Sequence, residues 1–288
     1  MPAAPAVSVV VPTRDRHGSL QRTLAALRTQ DLEAPWELIV VDDGSEPPLE
    51  DRLLAGLPAA RIVRTAGLGP ARARNAGIGA ARAPVVAFTD DDTEPGPGWL
   101  GAAIAFLERS GEHVGVEGPV ATPPYDPLFG HSLSNASPGA YWTCNIAFRR
   151  EVLARLGGFD EGFPYPHCED LDLAFRALAL GPIGFAAEMR IVHHPRSLTM
   201  GQLIGRGRLT ISEARLFARH RERYGRLRRM PARLFPLASS AGYLRLLLAQ
   251  ARRDPVRRGP RAAAIAAGYV AMVLLATLRG ARTHSRLT

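Results

Sequence analysis

Val85-Val86-Ala87-Phe88-Thr89-Asp90-Asp91-Asp92 is an apolar run of strand length that stops at three consecutive carboxylates. A run with no polar alternation is the pattern of a strand buried on both faces. Three earlier runs read the same way: Val7-Ser8-Val9-Val10-Val11, Glu37-Leu38-Ile39-Val40-Val41 and Arg61-Ile62-Val63. Between them Leu20, Leu24 and Leu27 recur at helical spacing, a short helix is expected near 49–57, and Ala71 to Ala81 reads as a helix. Strands that alternate with helices in this way predict βαβ units, hence an α/β fold with a mostly parallel sheet flanked by helices. In such sheets ligands sit outside the carboxyl ends of the strands. Two of the four runs end there in acid clusters, Asp42-Asp43-Gly44-Ser45 and Asp90-Asp91-Asp92.

Composition narrows the chemistry. The 288 residues are 46% apolar and 22% charged, ordinary for a globular chain, with a formal net charge of +9. Every basic residue is arginine. The absence of lysine excludes a P-loop lysine for ATP, a pyridoxal Schiff base and a lysine aldolase. Two cysteines, Cys144 and Cys168, make neither a disulfide framework nor a four-cysteine zinc site. The first turn, Pro12-Thr13-Arg14-Asp15-Arg16, lacks the Gly-x-Gly-x-x-Gly of dinucleotide folds, and Gly67-Leu68-Gly69 has no acid about 20 residues on, which argues against NAD or FAD.

Asp90 and Asp92 point the same way on an extended backbone and can serve a hard divalent ion such as Mg²⁺ or Mn²⁺; an acidic helix cap before Pro95 is the structural alternative. Asp42 and Asp43 suit either an Asx turn or a contact to a base N–H or ribose hydroxyl. Arg72, Arg74 and Asn75 open a helix and either meet a diphosphate or lie on the surface. Glu169-Asp170 starts a helix after a Pro-containing loop, so it caps that helix or supplies a general base. His193-His194 follows a last strand, Met189 to Val192, as a polar strand end or a further metal ligand. The segment 118–168 is looser and rich in Pro and Gly.

In this order the segments resemble family 2 glycosyltransferases of the GT-A fold: Val-Ser-Val-Val-Val-Pro-Thr-Arg-Asp-Arg, Val-Val-Asp-Asp-Gly-Ser, Ala-Arg-Asn-Ala-Gly-Ile, Phe-Thr-Asp-Asp-Asp, Asn-Ile-Ala-Phe-Arg-Arg, Gly-Gly-Phe-Asp-Glu and Glu-Asp-Leu-Asp-Leu, over about residues 6–200. The resemblance implies inverting transfer from a nucleotide-diphosphate sugar to a hydroxyl on a glycan or lipid-linked acceptor, as in cell-surface polysaccharide or glycolipid synthesis. It implies donor contacts from Pro12, Thr13, Arg14, Asp42 or Asp43, Arg74, Asn75, Asp90 and Asp91. Asp92 and Asp90 would hold Mn²⁺ or Mg²⁺, with His193 or its neighbour His194 added. Asp170 would be the catalytic base, and Trp142, Asn145 and Glu169 are expected on the acceptor side. Position 14 departs from the family in being Arg, and no Gln-x-x-Arg-Trp follows the Glu-Asp motif, which argues for single additions rather than processive polymerisation.

The expected division is a catalytic domain over 1–200 and an Arg-rich helical region over 201–288. From 196 onward the only acids are Glu213, Glu222 and Asp254. Ala262 to Leu278 is a 17-residue stretch without charge, flanked by Arg257, Arg258 and Arg261 before it and Arg279, Arg282 and Arg286 after it. At that length it stands at the lower edge of what spans a bilayer, with modest hydrophobicity. A second apolar patch, Tyr243 to Leu248, is interrupted by Arg245, which suits a helix lying on an anionic membrane surface. The apolar runs fit a membrane surface better than nucleic acid, and a packed helical cap is the alternative. The apolar run at Val7–Val11 is too short for a secretion signal, so the expectation is a cytoplasmic protein peripheral to the inner face of the cell membrane. Two other functions compete: an inactive nucleotide-sugar-binding or scaffold protein of a polysaccharide assembly, and a sugar-1-phosphate nucleotidyltransferase. The surviving carboxylates argue against the first. The missing lysines and Gly-rich loop argue against the second.

Overall fold

The computed structural model describes residues 3–228, 237–254, 256 and 258–284. The four apolar runs form the strands β1 (Val7–Thr13), β2 (Trp36–Asp42), β3 (Arg61–Arg64) and β4 (Val85–Phe88). The helices α1 (His17–Leu27) and α2 (Pro70–Ala80) provide the first and third crossovers. The helix expected near 49–57 is a single 3-10 turn at Asp51–Leu54. Gly56 beyond it has a φ of 78°, and Pro58 cannot donate to a continuing helix.

The rest of the chain supplies β5 (Thr93–Pro95), α3 (Trp99–Arg109), β6 (Gly115–Glu117), β7 (Val120–Ala121), β8 (Gly130–His131), β9 (Ile146–Arg149), α4 (Arg150–Leu156) and α5 (Glu169–Ala177). β10 (Ile183–Phe185), β11 (Ile191–His193) and β12 (Arg196–Ser197) follow, then α6 (Met200–Gly205), α7 (Thr210–Arg219), α8 (Arg221–Arg228), α9 (Leu237–Arg253) and α10 (Gly259–His284). The strand expected over Met189 to Val192 is β11, three residues that start at Ile191 and end at His193.

Seven strands form the main sheet in the order β10-β6-β9-β4-β1-β2-β3. β1 pairs parallel with β2 and β4, and β2 with β3. β9 runs antiparallel to both β4 and β6, so it alone is reversed. The chain leaves β1 towards β2 and β3, then returns to place β4 on the other side of β1. That reversal opens the sheet between the carboxyl ends of β1 and β4, where ligands bind in α/β sheets. A second sheet, β5-β11-β7, sets His193 opposite Thr93.

Apolar side chains fill both faces of the sheet, one with Val9, Leu24, Leu38 and Trp99, the other with Val10, Ile39, Phe88 and Leu173. Gly77 lets α2 lie against β1; a Cβ there would sit 2.4 Å from Val10 Cγ1.

The chain divides into two compact units. Residues 1–123, 132–161 and 170–194 form the first, and 124–131, 162–169 and 195–288 the second. The second has its own small core of Leu128, Leu203, Leu247, Ala262 and Ile265. Within it the rings of Tyr243 on α9 and Tyr269 on α10 lie 4.7 Å apart. The uncharged stretch 262–278 lies in α10, but among the described residues no helix is long and apolar enough to cross a membrane. Of its arginine flanks, Arg257 and Arg286 lie outside the described residues.

At the amino end of β2, Glu37 is fully buried. It accepts bonds from the Ser8 hydroxyl at 2.6 Å, Arg61 at 2.8 Å, and the Arg82 backbone and side chain at 2.7 and 3.0 Å. Burial alone would raise its carboxyl, but these donors outweigh it and hold the pKa at about 2, below the ordinary 4.5. With the folded value depressed, the stability it contributes is complete above the ordinary value and lost as pH falls towards the folded one. Glu37→Gln is expected to lower unfolding stability by about 3 kcal/mol at neutral pH, as breaking a buried ion pair does. Urea denaturation from pH 6 to pH 2 checks it: the variant should lose part of the acid sensitivity of the wild type, and parallel curves would refute the assignment.

Candidate active site

The loop after β4 holds Asp90, Asp91 and Asp92, the last two buried. Its backbone is pinned from below. Thr89 and Thr93 bond through their hydroxyls at 2.6 Å, Thr93 donates to the Asp90 carbonyl at 2.7 Å, and Thr23 of α1 donates to the Thr93 carbonyl at 2.7 Å. Two arginines meet the carboxylates. Arg16 donates to Asp91 and, at 3.0 Å, to Asp92 Oδ2. Arg74 on α2 donates to Asp90 Oδ1 at 2.9 Å and stacks 5.7 Å from the centre of the Phe159 ring. Thr13, the last residue of β1, donates to Asp91 Oδ2 at 2.6 Å. Burial still pushes the Asp91 carboxyl up to about 6; Arg16 and Thr13 pull against it, while Asp92 and Asp90 add to it. Arg16 is a site residue that sequence reasoning passed over. Its only signal was a position two residues beyond Arg14 in the first turn.

The end of β11 completes the cluster. The His194 backbone donates to the Asp92 carbonyl at 2.8 Å, and His193 Nε2 lies 3.6 Å from Asp92 Oδ1. Ligand atoms of Asp90, Asp92 and His193 all fall within 4.8 Å of one another. Two carboxylates and an imidazole gathered this closely offer the oxygen and nitrogen donors that hold a divalent cation. Of the two histidines, His193 joins this group; His194 points its Nε2 to within 2.8 Å of Glu94 Oε1.

Asp170 is the second residue of α5, and its Oδ1 accepts from the Leu171 backbone at 2.8 Å. Its charge and those of Asp90 and Asp92 converge on one buried thiol. Cys144 is pushed well above its ordinary pKa by burial first, then by Asp90, Asp170 and Asp92. Asp170 and the acids after β4 thus bear electrostatically on the same buried thiol. Within the first unit α5 is braced by Arg176, which pairs with the buried Asp172 at 2.8 Å and donates to the carbonyls of Leu156 and Gly158 at 3.0 and 2.9 Å. Glu169, one residue earlier, is buried and belongs to the second unit.

Other expected contacts carry fold-holding bonds. Asn75 clasps the Phe159 backbone from both sides, accepting at 2.8 Å and donating at 2.9 Å. Gly158, at φ 73°, makes room for it; a Cβ there would lie 2.4 Å from Asn75 Oδ1. Asp42 accepts from the backbones of Ser45 and Leu49 and from Arg64, and these donors hold its carboxyl below the usual range despite burial. Asp43 accepts from Thr65 and the backbones of Leu68 and Gly69. Pro12 is half-buried at the end of β1, and Arg14 is exposed with one guanidinium nitrogen 3.3 Å from the Gly67 carbonyl. Trp142 is half-buried against the first core.

Asn145 requires a correction. Expected on the acceptor side, it is 2% exposed, accepts from Trp99 Nε1 at 2.7 Å and donates to the carbonyls of Pro119 and Met189 at 3.0 and 2.8 Å. Every polar position of its amide is engaged inside the fold, so it has no face to offer a substrate.

Comparison with known proteins adds the family. The model of Glycosyl transferase family 2 matches residues 8–123, the span from β1 through the Asp90–Asp92 loop to the end of β7. Residues 8–123 thus resemble a family 2 glycosyl transferase domain. It is 32% identical over 199 residues to the pre-mycofactocin glycosyltransferase of Mycobacterium tuberculosis, covering 61% of this chain and 39% of that protein. It is 28% identical over 242 residues to the validoxylamine A glucosyltransferase of Streptomyces hygroscopicus, covering 68% of this chain and 53% of the other. The chain thus spans about half the length, or less, of these relatives. Among solved structures, the mannosyltransferase PcManGT of Pyrobaculum calidifontis, in complex with GDP-Man and Mn2+, superposes with a TM-score of 0.56 at 18% identity over 99% of this chain and 80% of its own. The shared architecture is the GT-A fold.

The reassignment of Asn145 separates two outcomes. Asn145→Ala strands the buried Trp99 N–H and two carbonyls, and each such orphan costs roughly 1–3 kcal/mol. A large fall in the urea midpoint is expected. A variant of wild-type stability with only a weakened acceptor KM would restore the sequence expectation.

Proposed function

We propose that the chain transfers a sugar from a nucleotide-diphosphate sugar to a hydroxyl acceptor in one inverting displacement. The observation that carries this reading is the gathering of Asp90, Asp92 and His193 after β4, in the span that matches the family 2 model, with Asp170 in the first turn of α5 in the same compact unit. On this reading Asp170 takes the proton of the acceptor hydroxyl, whose oxygen forms a bond to the anomeric carbon. The bond from that carbon to the diphosphate oxygen breaks on the opposite face, and the nucleoside diphosphate leaves with the electron pair. No covalent nucleophile is needed.

Asp90, Asp92 and His193 would hold Mn²⁺ or Mg²⁺, which when bound offsets charge on the departing diphosphate. The imidazole tilts that donor set towards Mn²⁺. Arg74 neutralises Asp90 and lines the donor side, while Pro12, Thr13 and Asp43 lie along the strand ends where a nucleoside would rest. The GDP-Man and Mn2+ in the mannosyltransferase of the same fold support the donor class. The relatives named for glycosyl and glucosyl transfer support the reaction class. Within 1–200 and 201–288, our division of labour is catalysis in the first span and attachment in the second. Leu246, Leu248, Leu274 and Leu275 are exposed on α9 and α10, in a region whose charged residues are nearly all arginine. Exposed apolar side chains among arginines suit the interface of an anionic membrane, on its cytoplasmic side.

Nucleotide release from UDP-, GDP- and dTDP-sugars, with and without Mn²⁺, tests the reaction. One donor should give turnover that excess EDTA abolishes. Asp92→Asn should be inactive and folded. Asp170→Asn should retain donor binding and lose on the order of 10²-fold or more in turnover, the scale for a positioned base. An Asp170→Asn protein that loses donor binding yet keeps its saturated rate would overturn the base assignment. For attachment, the full chain should sediment with anionic liposomes at low salt and be released by high salt. Failure to bind them would leave α9 and α10 as a packed cap.

A further inference from the structure

His193 enters the cluster already oriented by hydroxyls that no assignment above uses. Ser132 Oγ lies 3.0 Å from His193 Nδ1 and 2.9 Å from the His193 carbonyl. Thr122 Oγ1 donates to the same Ser132 oxygen at 2.8 Å. A serine hydroxyl has one proton and two acceptor positions. The carbonyl can only accept, so the Ser132 proton goes there. Ser132 Oγ is then left to accept from both of its other neighbours, Thr122 O–H and an Nδ1–H on His193. We infer that Thr122 and Ser132 act as positioning residues that fix the neutral His193 ring with its proton on Nδ1, so that the Nε2 lone pair is presented to Asp90 and Asp92.

The opposite tautomer would set two lone pairs, on Nδ1 and Ser132 Oγ, against each other at 3.0 Å. It would gain little in return, because Nε2 stands 3.6 Å from Asp92 Oδ1, beyond hydrogen-bond length. A ring with its lone pair towards two carboxylates is unfavourable alone and suited to sharing a cation with them. Hydrogen bonds to the remote nitrogen commonly fix the tautomer of metal-binding histidines in this way. His193 is 3% exposed, so solvent does not randomise the choice. Thr122 and Ser132 lie on either side of residues 124–131, a segment of the second unit, while both belong to the first.

The affinity part of this inference rests on the cation reading of the site; the tautomer part does not. Long-range ¹H–¹⁵N correlation on the metal-free protein with labelled histidine at pH 8 reads the tautomer directly, with His193→Gln identifying the signal. The wild type should carry its proton on Nδ1. Ser132→Ala should shift it towards Nε2 and weaken Mn²⁺ binding, measured without donor, on the order of 10-fold or more. Ser132→Thr, which keeps the hydroxyl, should restore both, and Thr122→Ala should give an intermediate effect. Equal melting temperatures would exclude simple unfolding. An Nε2 proton in the wild type, or a Ser132→Ala protein with unchanged tautomer and affinity, overturns the inference. The expected tautomer in a wild type that binds no Mn²⁺ sustains the inference and refutes the cation reading.

Discussion

Three consecutive carboxylates at the end of a buried strand are the constraint around which the first unit is arranged. Like charges this close disfavour one another's ionisation, and burial adds to the penalty, as the raised Asp91 shows. The fold answers with one arginine on each flank. Arg16 arrives from the turn after β1 and Arg74 from α2, and neither reaches all three acids. Asp91 is fully committed to Thr13 and Arg16, which makes it the structural member of the three. Asp90 and Asp92 each keep an oxygen towards His193. The negative charge left over by the arginines lies where a cation would offset it.

The opposite end of the sheet makes the comparison instructive. Glu37 is as deeply buried as Asp91, yet its pKa moves the other way. The difference lies in the donors: Glu37 collects a hydroxyl, a backbone N–H and two guanidinium groups, with no second acid beside it. One end of the β1–β2 pair is therefore a closed charge pair that holds strands together. The other gathers three adjacent acids and pushes one carboxyl up, the kind of perturbation that clusters at functional sites.

The sequence made the parallel half of the sheet legible because β1, β2 and β4 are mainly apolar and buried along almost their whole length, and a buried strand leaves that pattern whatever its partners. β6 and β10, three residues each, were invisible, since Gly115-Val116-Glu117 and Ile183-Gly184-Phe185 are too short for any period to emerge. The acid cluster and the Glu-Asp motif could be read because carboxylates at strand and helix ends are conspicuous. What could not be read was where an amide points. Asn75 and Asn145 both fall in motif segments, and only the fold tells that one clasps Phe159 while the other is tied to Trp99. Arg16 and Ser132 were missed for a similar reason: their roles depend on contacts 75 and 61 residues away in sequence.

Those amide clasps bear on how Asp170 and the acid cluster are held. Asp170 lies in the first turn of α5, which follows a Pro-containing loop. Arg176 anchors the same helix to the Leu156–Gly158 turn, Asn75 fixes the next residue of that turn, and the neighbour of Asn75 on α2 is Arg74, which grips Asp90. Side-chain-to-backbone bonds, closed by the Arg74–Asp90 ion pair, thus link α5 to the cluster after β4. Backbone-directed bonds resist rotamer changes better than ion pairs between exposed side chains, whose net worth is small. A displacement of about 1 Å between reacting groups can cost on the order of 10²-fold in rate. The residues that hold this spacing are therefore as much a part of the site's function as those that touch substrate, even where, like Asn75, they were first read as contacts themselves.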